Sequence, residues 1–179
     1  MELMITVAVL AILAALAAPS FRETIQNNRL ATQLNDFVSS LQIARSEAVK
    51  RGQAVSLCKS ADGATCTNGG NWAQGWLVFT DVDGDGVLDA ADGDTILNVG
   101  AALTGNNTLV GDLNVANAIR FDSRGFAPNT SGTLRLCDDR GATEARGVVV
   151  SASGRIRRTV DTNADDIEED AGGNPLACP

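Results

Sequence analysis

The chain has 179 residues, 44% of them hydrophobic, and a formal net charge of −8, as expected for one globular domain. It contains no histidine and no tyrosine, which excludes the usual serine and cysteine triads and any histidine-containing zinc site. No glycine-rich phosphate loop follows a predicted strand. We therefore expect a protein that is not an enzyme and needs no cofactor, apart from a calcium ion considered below.

An uncharged apolar run, LMITVAVLAILAALAA, opens the chain. As a helix it would be about 25 Å long, slightly short of the ~30 Å hydrocarbon core of a bilayer. We interpret residues 1–19 as a helical segment that inserts into a membrane, to which four more apolar residues would give the full length. The alternative is a secretory signal peptide, although such a peptide should begin with basic residues, and only Met1 and Glu2 precede the run.

Residues 20–52 continue the helix with an amphipathic pattern. Apolar residues recur every three to five positions, the spacing of one helix face: Ile25, Leu30, Leu34, Phe37, Leu41, Ala44 and Ala48. Gly52, preceded by two cations, is a typical C-terminal stop. The sequence thus predicts a single N-terminal helix of about fifty residues.

Residues 53–160 change to short β-rich runs separated by Gly, Asn and Asp turns: AVSLC, GWLVFTD, TILNV, AIRFD, TLRLC, GVVVSA and RIRRTV. We predict an α+β fold in which the long helix packs on an antiparallel β-sheet head. Residues 161–179 form an acidic, loop-like tail.

The cysteines are Cys58, Cys66, Cys137 and Cys178, with no Cys-x-x-Cys pair. Their even count predicts disulfides in an exported protein. Three connectivities are possible, and the simplest pairs Cys58 with Cys66 and Cys137 with Cys178, which would fasten the tail to the head. The alternative is four free thiols in a reducing cytosol.

The segment DVDGDGVLDAAD resembles a twelve-residue calcium loop. Ligand positions 1, 3, 5, 7, 9 and 12 are held by Asp81, Asp83, Asp85, Val87 through its carbonyl, Asp89 and Asp92. Position 12 is usually Glu, and the flanking segments here are predicted strands rather than helices. A solvated turn is the alternative, since Asp and Gly also form ordinary turns. A second, weaker match to this template, DTNAD from Asp161, lacks the glycine.

Arginines are concentrated near the C-terminus. Eight arginines and four acids lie between Arg120 and Arg158, a local balance of +4. Arg155, Arg157 and Arg158 would suit a polyanion, because the planar guanidinium pairs bidentately with phosphate. Alternatively, they pair with tail acids and solubilise an edge strand; those acids are Asp165, Asp166, Glu168, Glu169 and Asp170.

Taken in order, several segments resemble the FimT/GspH group of minor type IV pilins and pseudopilins: ELMITVAVLAILAALAAPSF, ARSEAVKRG, WAQGWLVFTDVDGDG, FDSRG, LCDDRG, GVVVSASGRIRR and a final CP. The resemblance implies a subunit held in the inner membrane of a Gram-negative bacterium with a periplasmic head. Such subunits later join other major and minor pilins in an extracellular pilus. In the family the mature chain begins with a methylated Phe after a Gly; this site does not precede Glu2, so we expect a trimmed or miscalled start.

The resemblance also implies roles for particular residues. The glutamate matching Glu2 neutralises the N-terminal amine of a neighbouring subunit during assembly. FimT-type pilins of transformable bacteria carry a Gly-Arg-x-Arg motif associated with DNA capture, matched here by Gly154, Arg155 and Arg157, with Arg158 and Arg146 as further cations. We expect non-specific, salt-dependent DNA binding in natural transformation. The alternatives are a structural minor pseudopilin of a pilus or type II secretion assembly, without DNA binding, and an exported calcium-binding module.

Overall fold

The long N-terminal helix is present. The computed structural model describes the backbone of residues 2–179 and the side chains of residues 3–7, 10 and 20–179. Helix α1 spans Glu2–Arg51, which confirms the predicted length. The next residue, Gly52, has a φ of +67°, and its N–H donates to the carbonyl of Ala48 at 3.0 Å. This left-handed position is one that glycine adopts without steric cost.

The first part of α1 makes no buried contact through its described side chains. Its exposed apolar residues are Leu3, Met4, Ile5, Val7, Leu10 and Phe21. Among the residues that the structure describes, no helix is both long enough and apolar enough to cross a membrane. Membrane insertion of residues 1–19 therefore stays a prediction. The side chain of Glu2, the predicted assembly residue, lies outside the described residues.

Eight strands form the head: β1 (Val55–Lys59), β2 (Trp76–Thr80), β3 (Ile96–Gly100), β4 (Thr108–Gly111), β5 (Ala118–Phe121), β6 (Gly132–Cys137), β7 (Arg146–Val150) and β8 (Ile156–Arg158). They build two antiparallel sheets of four strands each, in the orders β3-β2-β1-β5 and β4-β6-β7-β8. Seven strands correspond to the predicted runs, whereas β4 was not predicted. The head therefore contains two sheets, and β8 is an edge strand.

One core joins α1 to both sheets. Six of the seven apolar positions predicted for the helix face are buried: Leu30, Leu34, Phe37, Leu41, Ala44 and Ala48. They pack with residues of both sheets, including Leu57 of β1 and Val148 of β7. Ile25 differs, because it remains 47% exposed. The amphipathic face thus begins to contact the head about one turn later than its sequence pattern indicates.

Two disulfides fasten the loops. Cys58 is bonded to Cys66, and Cys137 is bonded to Cys178, which is the simplest of the three possible connectivities. The second bond holds the tail on the head, where Leu176 is buried in a small cluster with Cys137 and Ala145. Within the tail, Glu169 and Pro175 form an isolated β-bridge.

Candidate nucleic-acid interface and acidic loops

A tight turn between β7 and β8 presents the predicted arginine motif. The N–H of Gly154 donates to the carbonyl of Ser151 at 2.8 Å, and the N–H of Ser151 donates to the carbonyl of Arg155 at 3.0 Å. Gly154 is buried with a φ of +73°, while Arg155, Arg157 and Arg158 are exposed. The motif glycine thus forms the turn, and the arginines follow along the edge strand.

The three arginines of the motif carry no ion pair among the described side chains. Arg157 lies opposite Val149 and Arg158 opposite Val148 in the β7–β8 register. The Arg158 guanidinium donates to the side-chain oxygen of Asn35 on α1. A neutral amide does not compensate its charge, so all three cations remain available to an anion.

Other arginines of the basic region are occupied by carboxylates. Arg124 pairs with Asp122 at 3.0 Å, Arg135 with Asp112 at 3.3 Å, and Arg140 with Asp138 at 2.7 Å. Although burial raises the pKa of Asp138, hydrogen bonds from Arg140 outweigh it and hold that pKa below its usual value. Arg146 is also paired, so four of the eight arginines in this region form ion pairs within the head.

Arg146, a predicted contact residue, is separated from the motif by its partners. It contacts Glu168 at 3.2 Å and Glu144 at 3.9 Å. Arg146 is the first residue of β7, at the opposite end of that strand from the turn that carries Arg155. The structure therefore does not group Arg146 with the three free arginines.

None of the described tail acids pairs with the arginines of the motif, and two of them have other partners. Glu168 accepts hydrogen bonds from Arg146 and Thr159. Asp170 accepts from the backbone N–H of Asn174, which is the main cause of the lowered pKa of the Asp170 carboxyl. The ion pairs that would make the arginines merely part of a solvated edge are thus absent from the residues described.

A groove beside the motif adds cations that the sequence did not reveal. It has a volume of about 550 Å³, lies between α1 and β8, and is lined by Arg45, Lys50 and Arg155 but by no acid. Arg45 donates through Nε to the carbonyl of Gly125 at 3.1 Å, and Lys50 contacts Glu47 at 3.1 Å. About a hundred residues separate Arg45 from Arg155, so only tertiary packing brings them together.

The predicted calcium loop is partly assembled. Asp81, Asp83 and Asp85 each place a carboxylate oxygen within 4.8 Å of the others. Asp89 instead caps a short 3₁₀ helix by accepting from the N–H of Ala91 at 2.8 Å, and Asp92 lies in that helix. The N–H of Val87 donates to Asp85 at 2.7 Å.

The charges of this loop act on one another. The pKa of the Asp92 carboxyl is raised, chiefly by the negative charge of Asp89. Burial and the charges of Asp83, Asp94 and Asp85 raise it further. The loop is therefore a region of concentrated negative charge.

A second acidic cluster lies in the tail. Asp161, Asp165 and Glu169 also bring one carboxylate oxygen each within 4.8 Å of the others. The sequence match starting at Asp161 lacks a glycine, but Asp166 adopts the left-handed backbone with a φ of +67°. Aspartate tolerates this conformation better than most residues, so the turn forms without glycine.

A long N-terminal helix packed on a disulfide-bonded β head is a pilin-like fold. Comparison with solved structures agrees. Two crystal forms of the type IV minor pilin FimU of Pseudomonas aeruginosa (strain PAO1) are similar. The P21 form has a TM-score of 0.57 at 23% identity over 74% of this chain and 89% of that one. The P65 form has a TM-score of 0.55 at 24% identity over 73% and 93%.

A protein-family model described as Type II transport protein GspH matches residues 33–154 of the chain. That range is more than half of the chain, and the protein belongs to the GspH family. No curated protein sequence matches the chain significantly. The matched range includes Gly154 but not Arg155, Arg157, Arg158 or the tail.

Proposed function

We propose that this protein is a minor pilin that binds DNA non-specifically through Arg155, Arg157 and Arg158 and supports DNA uptake in natural transformation. It would sit in the inner membrane with a periplasmic head and then join other pilins in an extracellular pilus. The observation that carries the proposal is the exposure of all three arginines on an edge strand with no carboxylate partner among the described side chains.

Charge distribution makes a local contact with DNA feasible despite the net charge of −8. Electrostatic fields are screened over ~8 Å at physiological salt, so a basic patch acts independently of distant acids. Across the groove the patch is extended by Arg45, whereas Lys50 is paired with Glu47. Guanidinium groups recognise backbone phosphates, and nothing in this arrangement reads base edges, so the contact is independent of sequence.

One patch of this size gives weak binding that depends steeply on salt. Each phosphate neutralised contributes about 0.9 to the slope of log K against log salt concentration. Several copies in one pilus would raise the avidity without new contacts.

The test is a titration of a short fluorescent duplex with the full chain in detergent micelles, at several salt concentrations. We compare the unchanged chain with Arg155→Gln/Arg157→Gln. The matched control, Arg22→Gln/Arg29→Gln, also removes two charges; neither residue lines the groove beside the motif, and Arg29 lies in a separate groove with Leu103 and Thr104. We expect the motif variant to weaken binding and to lower the salt slope by about 2, while the control stays close to the unchanged chain.

Equal binding by both variants, with the fold intact, would exclude the motif as the DNA contact. The subunit would then be a structural pseudopilin whose head contacts other pilins. The family description as a type II transport protein supports that second candidate.

A further inference from the structure

Two loops far apart in the chain have the same internal geometry. We define the hairpin loop as residues 81–87, between β2 and β3, and the tail loop as residues 161–169. In the hairpin loop the N–H of Gly86 donates to Oδ2 of Asp81 at 3.1 Å. In the tail loop the N–H of Asp166 donates to Oδ2 of Asp161 at 3.0 Å. The sixth residue has a φ of +82° in the former and +67° in the latter.

The correspondence continues along both loops. The third residue accepts from the N–H of the fifth, at 3.3 Å in the hairpin loop and 2.9 Å in the tail loop. The fifth accepts from the N–H of the seventh, at 2.7 and 2.9 Å. These turns orient oxygen-bearing side chains inward, but such turns also occur without any ligand.

What points to a ligand is one buried, unpartnered carboxylate oxygen in each loop. Asp81 is fully buried; its Oδ2 accepts from Ser56 and Gly86, whereas its Oδ1 has no partner. Glu169 is 4% exposed; its Oε2 accepts twice from Thr162, whereas its Oε1 has no partner. These are the two carboxylate oxygens among the buried unpartnered atoms of the described side chains.

A bare buried carboxylate oxygen is costly, since its lost hydration is not replaced. Asp81 and Glu169 each belong to a cluster of three carboxylates that have oxygens within 4.8 Å of one another, so mutual repulsion adds to the cost. No lysine or arginine pairs with any of these six acids among the side chains described. A cation in each loop would satisfy the free oxygen and offset the repulsion.

We propose that the chain binds two calcium ions, one in each loop. Calcium fits because it takes six to eight oxygen ligands in flexible geometry. The hairpin loop offers Asp81, Asp83 and Asp85. The tail loop offers Asp161, Asn163, Asp165 and Glu169, and each loop has a seventh-residue carbonyl, of Val87 or Ile167. Magnesium demands near-ideal octahedral geometry and gives up its waters reluctantly, so it fits these loops less well.

The proposal is independent of DNA binding, because neither loop contains an arginine of the motif. The test uses the full chain in detergent, stripped with EDTA. Calcium chloride is titrated in by calorimetry, and thermal unfolding is followed with calcium, with magnesium or with EDTA. We expect two equivalents of bound calcium and a melting temperature several degrees higher with calcium than with EDTA.

Two double variants assign the two sites, and a third is the matched control. Asp83→Asn/Asp85→Asn and Asp161→Asn/Asp165→Asn each retain hydrogen-bond acceptors but remove two charges from one loop. Each should weaken one of the two binding events at least tenfold and leave the other unchanged. Asp36→Asn/Asp139→Asn removes two exposed charges elsewhere and should bind as the unchanged chain does.

The unchanged chain alone decides whether calcium is bound at all, so the result does not depend on the folding of a variant. No uptake at millimolar calcium would overturn the proposal. So would equal stabilisation by magnesium and calcium, or unchanged binding in both loop variants.

Discussion

Gly154 is required by the backbone, whatever the arginines beside it bind. Its φ is +73°, and a β-carbon built on it would lie 1.8 Å from the carbonyl oxygen of Gly125. That carbonyl also accepts from Arg45 of α1. The turn that presents Arg155 is therefore packed against a loop held by the helix, and any side chain at this position would push the turn away.

The close contact predicts a large cost for Gly154→Ala. A left-handed backbone alone costs an alanine roughly 1–2 kcal/mol, and the overlap with backbone adds to this because no side chain can yield. Gly93→Ala is the matched control, since its backbone is left-handed (φ of +91°, ψ of +15°) and nothing lies within 4 Å of the added carbon. In chemical unfolding, the loss of stability for Gly154→Ala should be at least about twice the loss for the control. Equal losses would mean that the turn simply shifts away from Gly125.

Charge spacing in the sequence was enough to single out the residues of the motif, but not their neighbours. Arg155, Arg157 and Arg158 stand out because they are consecutive or nearly so. Arg45 and Lys50 could not be assigned to the same surface, since their closeness depends on how α1 packs on β8. Arg146 has the same residue type but pairs with Glu168, a contact that sequence spacing does not encode.

At the scale of elements, the packing of α1 is centred on Phe37. Its ring is fully buried and meets Trp72 and Trp76 edge-on, with centroids 5.4 and 5.0 Å apart. The Nε1 of Trp72 donates to the carbonyl of Val115 at 2.9 Å, which fixes the orientation of the indole. Edge-on aromatic pairs add about 0.5–1.5 kcal/mol to the burial of their area.

We expect Phe37→Ala to lower the free energy of unfolding by about 3–5 kcal/mol, because it leaves a cavity between the helix and both indoles. Phe21→Ala is the control on the same helix, where the ring is 72% exposed, and it should change that free energy by less than about 0.5 kcal/mol. Urea unfolding followed by tryptophan fluorescence measures both. Similar losses for the two variants would show that the head does not depend on this contact.

The elements themselves were largely predictable, and their arrangement was not. The helix face follows from a 3.6-residue period, and seven strands follow from β-branched and aromatic runs between turns. Strand β4 was not predicted because its two apolar residues, Leu109 and Val110, lie in the segment GNNTLVGD, whose Gly, Asn and Asp residues are typical of turns. The division into two sheets depends on which strands pair, and β1 joins β5 while β4 joins β6, which local sequence does not determine.

For the molecule as a whole, the Cys137–Cys178 bond closes the segment that carries both candidate sites of the C-terminal part. The 41-residue separation includes β7, β8, the arginine motif and the tail loop. The tail itself contributes few buried apolar side chains, chiefly Leu176 at 3% exposure. Its position therefore depends more on the covalent bond than on packing.

Chain entropy predicts how strongly the two disulfides differ. A cross-link stabilises mainly by restricting the unfolded chain, by about 4 kcal/mol for the longer loop and about 2.5 kcal/mol for the shorter; the sequence separations are 41 and 8. We therefore expect Cys137→Ser/Cys178→Ser to lose more stability in urea than Cys58→Ser/Cys66→Ser, which serves as the matched control. Proteolysis should also cut the released tail first, because its few buried contacts no longer hold it on the head. An equal or smaller loss for the long loop would show that packing, rather than the cross-link, holds the tail.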